Sequence, residues 1–325
     1  MQLMGIGRPN APQSQRQKLG PGRSSVRPWR RTIGLPQGNS GKPTGASEGE
    51  SSFLPTLFTV EVRSCGLRLR DIVGRWKEYF EDLLNPVYTP SVEEAEAGDL
   101  EVDSSISLVE VTEVVSKLLN GKAPGVDEIR PEYLKSLDVV GLSWFIRRCS
   151  IAWRSGTVPL DWHTGVVVPL FKKGGRRVCS NYRGITLLSL PGKVYARVLE
   201  RRIRPLVEPR IQEEQCGFRP GRGTLDQLHT LARVLKGSWE FAHPVYMCFV
   251  DLEKALGRVP RGILWEVLRE YRIRDPLLRA VRSLYDRSRS LVRIAGSKSD
   301  LFPVHVRLRQ GCPLSPILFI TFMDR

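Results

Sequence analysis

The run Met247-Cys248-Phe249-Val250-Asp251-Leu252 is apolar and ends on a carboxylate. A carboxylate at a strand end, with the backbone carbonyl of the next residue beside it, offers oxygens of the kind that ligate magnesium. Asp251 and the carbonyl of Leu252 are therefore the candidate metal pair. Taken alone, an aspartate there equally caps the turn that follows. A second run, Arg309-Gln310-Gly311-Cys312-Pro313-Leu314-Ser315-Pro316, is a Gly/Pro turn that opens into an apolar helix. Gly311 would let backbone approach a ligand closely. Plain punctuation before a core helix is the competing reading. Upstream, Lys172, Lys173 and Arg183 suit phosphate oxygens, because arginine supplies a planar fork and lysine a point charge. Arg219 and Arg222 lie in the Gly-rich stretch 215–224, where close approach to a nucleic-acid backbone competes with simple loop structure.

Several elements must position these groups. Ile72, Trp76, Tyr79, Phe80 and Leu83 recur at helical spacing from about Asp71, and Asn85-Pro86 stops that helix. A second helix carries Val111, Val114, Val115, Leu118 and Leu119, with Ser107 and Glu110 as a capping box and Gly121 as the C-terminal cap. Pro131 opens a helical region that runs through Trp153. Val166 to Phe171 reads as a strand with Pro169 at an edge. Residues 193–207 return to helix, and Thr224 with Gln227 fits a capping box for the next one. Val245 to Leu252 reads as a buried strand. Helices follow at about 261–271 and 276–287, then a strand pair at about 290–295 and 302–309.

The chain of 325 residues carries a formal net charge of +16, which favours a polyanionic partner, with nucleic acid first. Residues 141–240 hold 18 Lys/Arg against 7 Asp/Glu, so the middle of the chain is its electrostatic footprint. An anionic membrane surface is the weaker reading, since no basic amphipathic helix with a broad aromatic face stands out. The six cysteines form no Cys-x-x-Cys pair and the four histidines show no metal-ligand spacing. This argues against a disulfide framework or a zinc site and for a reducing compartment. No signal-peptide core or membrane-length apolar run is visible, so the expected localisation is nuclear or cytoplasmic, not secreted. Residues 1–70 read as a disordered basic Gly/Pro/Ser-rich tail, and 71–105 as a helix with an acidic linker.

Taken in order, these motifs resemble those of a reverse transcriptase of the non-LTR (LINE-like) retrotransposon type, over roughly residues 75–325. Phe249-Val250-Asp251-Leu252-Glu253-Lys254-Ala255 resembles the first catalytic motif, and Arg309 to Phe319 the next. Pro169-Leu170-Phe171-Lys172-Lys173-Gly174 and Asn181-Tyr182-Arg183-Gly184-Ile185 resemble the fingers motifs. Gly121 to Asp127 and Gln215 to Thr224 resemble the segments before the fingers and before the first catalytic motif. The resemblance implies an α/β fold, with residues 106–325 as the fingers and incomplete palm of a right-hand polymerase. It implies RNA-directed DNA synthesis by two-metal nucleotidyl transfer, with Mg2+ as cofactor. RNA template, RNA–DNA duplex and deoxynucleoside triphosphates would be the partners. Asp251 would be catalytic and, with Leu252, metal-binding. Lys173, Arg183, Leu256, Gln310 and Gly311 would bind the nucleotide, and Arg219 and Arg222 the template.

Three positions depart from the family's pattern. Leu256 stands where the family has a phenylalanine that blocks a ribose 2′-hydroxyl. Gly257 replaces an aspartate, and Gly184 a proline. The sequence contains no Asp-Asp pair, which the family needs for its metal site, and only Asp324 follows Ser315-Pro316. The expectation is therefore a sequence truncated before that motif and the thumb, inactive by itself as a polymerase. A non-catalytic nucleic-acid-binding fragment and a retrotransposon relic stay open as alternatives.

Overall fold

A computed structural model describes residues 68–86, 105–252 and 255–325. The expected tail at 1–67 and the acidic linker at 87–104 lie outside the described residues. The described chain is mixed α/β. Helix α1 (Leu69–Leu84) ends at Asn85, as the sequence predicts. Helix α2 (Leu108–Ser116) begins at the expected capping box: Glu110 N–H donates to Ser107 Oγ at 3.2 Å, and Ser107 N–H donates to Glu110 Oε2 at 2.9 Å. Gly121 does not cap that helix, which already stops at Lys117. Gly121 instead adopts φ 71° and donates its N–H to Glu132 Oε1 at 2.6 Å.

The helical region after Pro131 is two helices, α3 (Pro131–Lys135) and α4 (Val139–Ser155). They divide because the Asp138 side chain accepts from Gly141 N–H at 2.7 Å and starts a new helix. A short α5 (Leu160–His163) leads into β1 (Thr164–Phe171), which forms a hairpin with β2 (Tyr182–Leu188). Helix α6 (Leu190–Val207) follows, started by Ser189. Helix α7 (Thr224–Glu240) begins one residue earlier than its expected box implies: Gly223 N–H donates to Asp226 Oδ2 at 2.8 Å. Gln227 instead donates to the Glu214 carbonyl at 3.1 Å.

Helices α8 (Arg261–Glu270) and α9 (Leu277–Tyr285) precede β3 (Arg289–Ile294). The expected long partner strand at 302–309 shrinks to β5 (Phe302–Pro303), because the chain turns back at β4 (Ser297–Lys298) and then runs irregularly to Gln310. Helix α10 (Ser315–Met323) closes the described chain.

The sheet order is β2-β1-β3-β4, with β5 also on β3. β1 pairs antiparallel with β2 but parallel with β3, so the sheet is mixed rather than antiparallel. Pro169 sits where β1 has run past its pairing with β3, which covers only Thr164 to Val167. Its missing N–H therefore interrupts no ladder on that side.

One face of the sheet is covered by α1. Trp76 and Phe80 pack there with Val167, Tyr182 and Val292, and Trp76 meets the Tyr182 ring edge-on at 4.8 Å. Gly184 belongs to this face. A Cβ there would lie 2.6 Å from Phe80 Cε1, so the Phe80 ring fills the space a larger residue would need. A larger core gathers α2 to α6 and α8 to α10 around Tyr195, Val198, Leu199 and Ile203 of α6. Burial of each such side chain contributes about 1.5–3 kcal/mol.

Glu110 and Arg202 fasten α2 onto α6. Arg202 Nε donates to Glu110 Oε1 at 2.7 Å and Nη2 to Oε2 at 2.8 Å, and the guanidinium lies 4.7 Å from the Trp153 ring centroid. These bonds, above all the one from Arg202, pull the Glu110 carboxyl from the usual 4.5 down to about 2. Because the folded-state value lies below the unfolded one, the contribution is complete above pH 4.5 and is lost as the pH falls through about 2. Glu110→Gln should therefore lower stability at neutral pH by about 1–3 kcal/mol. Urea denaturation at descending pH checks this. The gap between the two proteins should narrow steadily below pH 4.5.

Candidate active site

The β1–β2 hairpin holds a dense group of cations. Lys172 N–H donates to the Asn181 carbonyl at 2.9 Å, extending the ladder by one step. Beyond it the connection turns at Gly174, with φ 91°, against the Asn181 side chain. Tyr182 Oη donates to the Arg176 carbonyl at 2.9 Å, and Asn181 Nδ2 to the Gly175 carbonyl at 2.9 Å. Lys172, Lys173, Arg176 and Arg177 are all exposed on this braced loop. Arg183, on β2 opposite Leu170, is exposed as well. Tyr182 and Gly184 face α1, so alternation turns Arg183 and Ile185 to the other face of the sheet.

The second motif is fixed against the same strand. The half-buried Arg309 guanidinium donates to the Trp162 carbonyl at 2.6 Å and the Leu284 carbonyl at 3.0 Å, and partial burial lowers its pKa from the ordinary value. Ser315 Oγ donates to the Arg309 carbonyl at 2.6 Å, and Cys312 N–H to the same oxygen at 3.1 Å. Gly311 adopts φ 81°, and a Cβ there would lie 3.1 Å from the Thr186 carbonyl. The close approach that Gly311 permits is thus to β2 itself. Leu308 N–H donates to the Leu256 carbonyl at 3.1 Å. Leu256 lies in a 3-10 turn (Ala255–Gly257) and packs against the main core. The structure therefore ties the Leu256 turn to Leu308 and sets Gly311 against β2, the strand that carries Arg183, with Lys173 on the loop beyond.

Asp251 is placed differently from the sequence expectation. Residues 245–252 form no strand and are exposed rather than buried. Phe249 is 57% and Val250 51% exposed, and no described strand pairs with them. The reason is physical: an apolar strand is buried only when a neighbour takes its backbone bonds and covers a face, and the described sheet ends without one beside it. The preceding α7 shares this condition, with Leu225 at 78% and Trp239 at 90% exposed.

Asp251 and Leu252 present their oxygens to solvent. Among the described residues no group of three or more His, Cys, Asp or Glu could hold a metal ion. Magnesium commonly takes one or two carboxylates, with water and phosphates completing its shell. Asp251 fits such a shared site and does not make an all-protein cage. Asp324 is committed elsewhere, since its carboxylate accepts from Tyr271 Oη and from Gln212 N–H.

Arg219 and Arg222, paired in the sequence reading, separate here. Arg219 is largely buried and donates to the Gln212 carbonyl at 2.9 Å and the Gln215 carbonyl at 3.1 Å, so it braces its own loop. Arg222 remains nearer the surface, paired with the exposed Glu213 at 3.1 Å. Arg309, not Gln310 or Gly311 alone, fixes the turn at 309–312, and the sequence motif gives it no separate role. The available signal was a cation directly before a Gly/Pro turn in otherwise apolar surroundings.

Residues 171–325 match the family described as reverse transcriptase (RNA-dependent DNA polymerase). Residues 171–325 thus resemble a reverse transcriptase domain, and the relatives that the chain is similar to are proteins of transposons and non-LTR retrotransposable elements. The chain is 28% identical over 67% of its length to a 149 kDa protein of transposon TX1 from Xenopus laevis, covering 17% of that protein. It is 28% identical, again over 67% of its length, to the RNA-directed DNA polymerase of mobile element jockey from Drosophila funebris, covering 24% of it. With the Pol polyprotein of a type-2 retrotransposable element of Drosophila melanogaster it shares 26% identity over 65% of the chain, covering 19% of that relative. The chain thus spans about a quarter or less of the length of these relatives. Among the described residues, no helix is long and apolar enough to cross a membrane.

Gly311→Ala should destabilise the fold by about 1–2 kcal/mol, from positive φ alone, with the Thr186 carbonyl adding to that. Gly74→Ala, mid-helix in α1 with nothing within 4 Å of the added methyl, should stabilise by about 0.5–1 kcal/mol. Urea midpoints of the two variants against the parent read both effects, and opposite signs are expected.

Proposed function

We propose that this chain holds nucleic acid and nucleotide for RNA-directed DNA synthesis, as the fingers and part of the palm of a right-hand polymerase. The observation that carries the reading is the Gln310-Gly311 turn lying against the strand that bears Arg183, with the Leu256 turn bonded to the same segment through Leu308. A nucleotide seated there would have its phosphates within the field of Arg183 and Lys173, and its sugar near Leu256 and Gln310. Arg183 can grip two phosphate oxygens with its planar fork, while Lys173 supplies a mobile point charge from the loop. Leu256, packed against the core, limits the space beneath the sugar with an aliphatic branch rather than a ring.

Arg222 is the better candidate of its pair for the template backbone, since Arg219 is occupied. Magnesium, held through Asp251 and the Leu252 carbonyl, would supply charge neutralisation at the triphosphate and activation of the primer hydroxyl. Asp251 is the carboxylate of a metal-binding motif that residues 1–325 contribute, and its segment lies exposed and unpaired among the described residues. That placement favours, for this stretch by itself, nucleic-acid binding without primer extension.

The test is binding of an RNA–DNA duplex over a range of salt, together with primer extension on an RNA template. The plot of log affinity against log salt should flatten by about one unit for each of Arg183→Gln and Arg222→Gln, one phosphate contact being lost in each. Binding that ignores both substitutions contradicts the assignment. Primer extension that Asp251→Asn abolishes contradicts the non-catalytic expectation for this stretch.

A further inference from the structure

A cavity of about 50 Å3 lies under the segment 304–310, between the end of α1 and the end of the sheet formed by Gly165, Leu188 and Ser290. A cavity needs roughly 10–15 Å3 to admit one water, so this one is large enough for a small polyatomic group. Gly165 forms a tight part of its wall, since a Cβ there would lie 2.7 Å from Thr186 Cγ2 and 3.3 Å from Ser290 Oγ. Its charged lining is one-signed. Arg261, Arg289, Arg307 and Arg309 contribute beside a neutral His163, and no carboxylate lines it.

We propose that this cavity is a binding site for a phosphoryl oxyanion, held by Arg307, Arg309 and His163 with the hydroxyl of Ser290. Two atoms in its lining lack partners. His163 is 7% exposed, and its Nδ1 is buried with no hydrogen-bond partner among the described residues. Arg307 Nε is likewise buried without one. A buried polar atom in that state is costly, and a ligand that satisfies it restores the loss.

Arg307 also stands at φ 90°, a region that side-chain-bearing residues rarely enter, so the backbone holds it in place against a local cost. Arg309 commits only two of its five N–H donors to carbonyls, and Arg261 three. Asp286 offsets the Arg261 charge from outside the cavity, whereas Arg307 and Arg309 meet no carboxylate in its lining, so an anion between those two would offset their mutual repulsion. Burial, and after it the nearby Arg309 charge, hold the His163 pKa down to about 4, so the ring is uncharged near neutrality.

The cavity borders the proposed nucleotide site at Gln310, which lines it, and lies apart from Arg183. Thr186 lines the cavity and lies three residues from Arg183 on β2, so the two side chains emerge on opposite faces of the sheet. The inference stands independently of polymerisation.

The test uses the full chain with inorganic phosphate at constant ionic strength. Histidine ring resonances are followed by NMR, with His163 assigned by its loss in His163→Gln. The His163 resonance should shift saturably with phosphate and not with chloride. Arg307→Gln should raise the phosphate midpoint at least tenfold, while Arg233→Gln on α7 leaves it in place. A short single-stranded RNA then distinguishes the sources. Competition with phosphate supports the site with a nucleic-acid backbone phosphate as occupant, and lack of competition supports it with a free phosphate. A His163 resonance indifferent to phosphate, or an unchanged midpoint in Arg307→Gln, overturns the proposal.

Discussion

The hydrogen bonds of the Arg309 guanidinium are what the arrangement of the site depends on. They join the end of α5, through the Trp162 carbonyl, to the end of α9, through the Leu284 carbonyl. Both carbonyls lie near helix ends, where intrahelical partners run out. A charged donor to such an oxygen makes a stronger bond than a neutral one. The same residue's carbonyl accepts from Ser315 at the start of α10. One side chain and one carbonyl thus set where the turn 309–312 sits. From that position Gly311 reaches β2 and Leu308 reaches the turn after Asp251. Lysine would not reproduce this, because it lacks the planar fork that serves two carbonyls at once.

Against this well-tied half stands the exposed segment 245–252. Its side chains are those of a buried strand, yet it has neither ladder nor cover among the described residues. The electrostatic side of the site does not share this dependence. Lys172, Lys173, Arg176, Arg177 and Arg183 are presented by a hairpin with its own ladder and its own loop bonds. The exposed cation cluster and the placement of the Asp251 carboxylate therefore rest on different structural supports. The first can persist when the second is weak.

Helices with a strong apolar period were legible in the sequence, because the faces that Trp76, Phe80 or Leu199 bury are fixed by spacing along one element. Of the hairpin only the first strand was legible, and Lys173 and Arg183 lie exposed on the hairpin. The parallel pairing of β1 with β3 was not, since it joins residues more than a hundred positions apart without local trace. Residues 245–252 misled for the opposite reason. Their pattern records burial, and burial is a property of neighbours, not of the segment. Arg219 misled because a basic Gly-rich loop looks the same whether its arginine faces solvent or folds back onto its own carbonyls. His163 and Arg307 gave no signal at all, because what marks them is the lack of a partner in three dimensions.

The central claim is that the hairpin and the 309–311 turn form one binding surface. Hydrogen–deuterium exchange of the full chain, with and without an RNA–DNA primer duplex and a deoxynucleoside triphosphate, tests it most directly. The account predicts that amides at 172–183 and at 309–312 gain protection together, at the same ligand concentration. Protection confined to one of the two segments, or found only elsewhere in the chain, would contradict it.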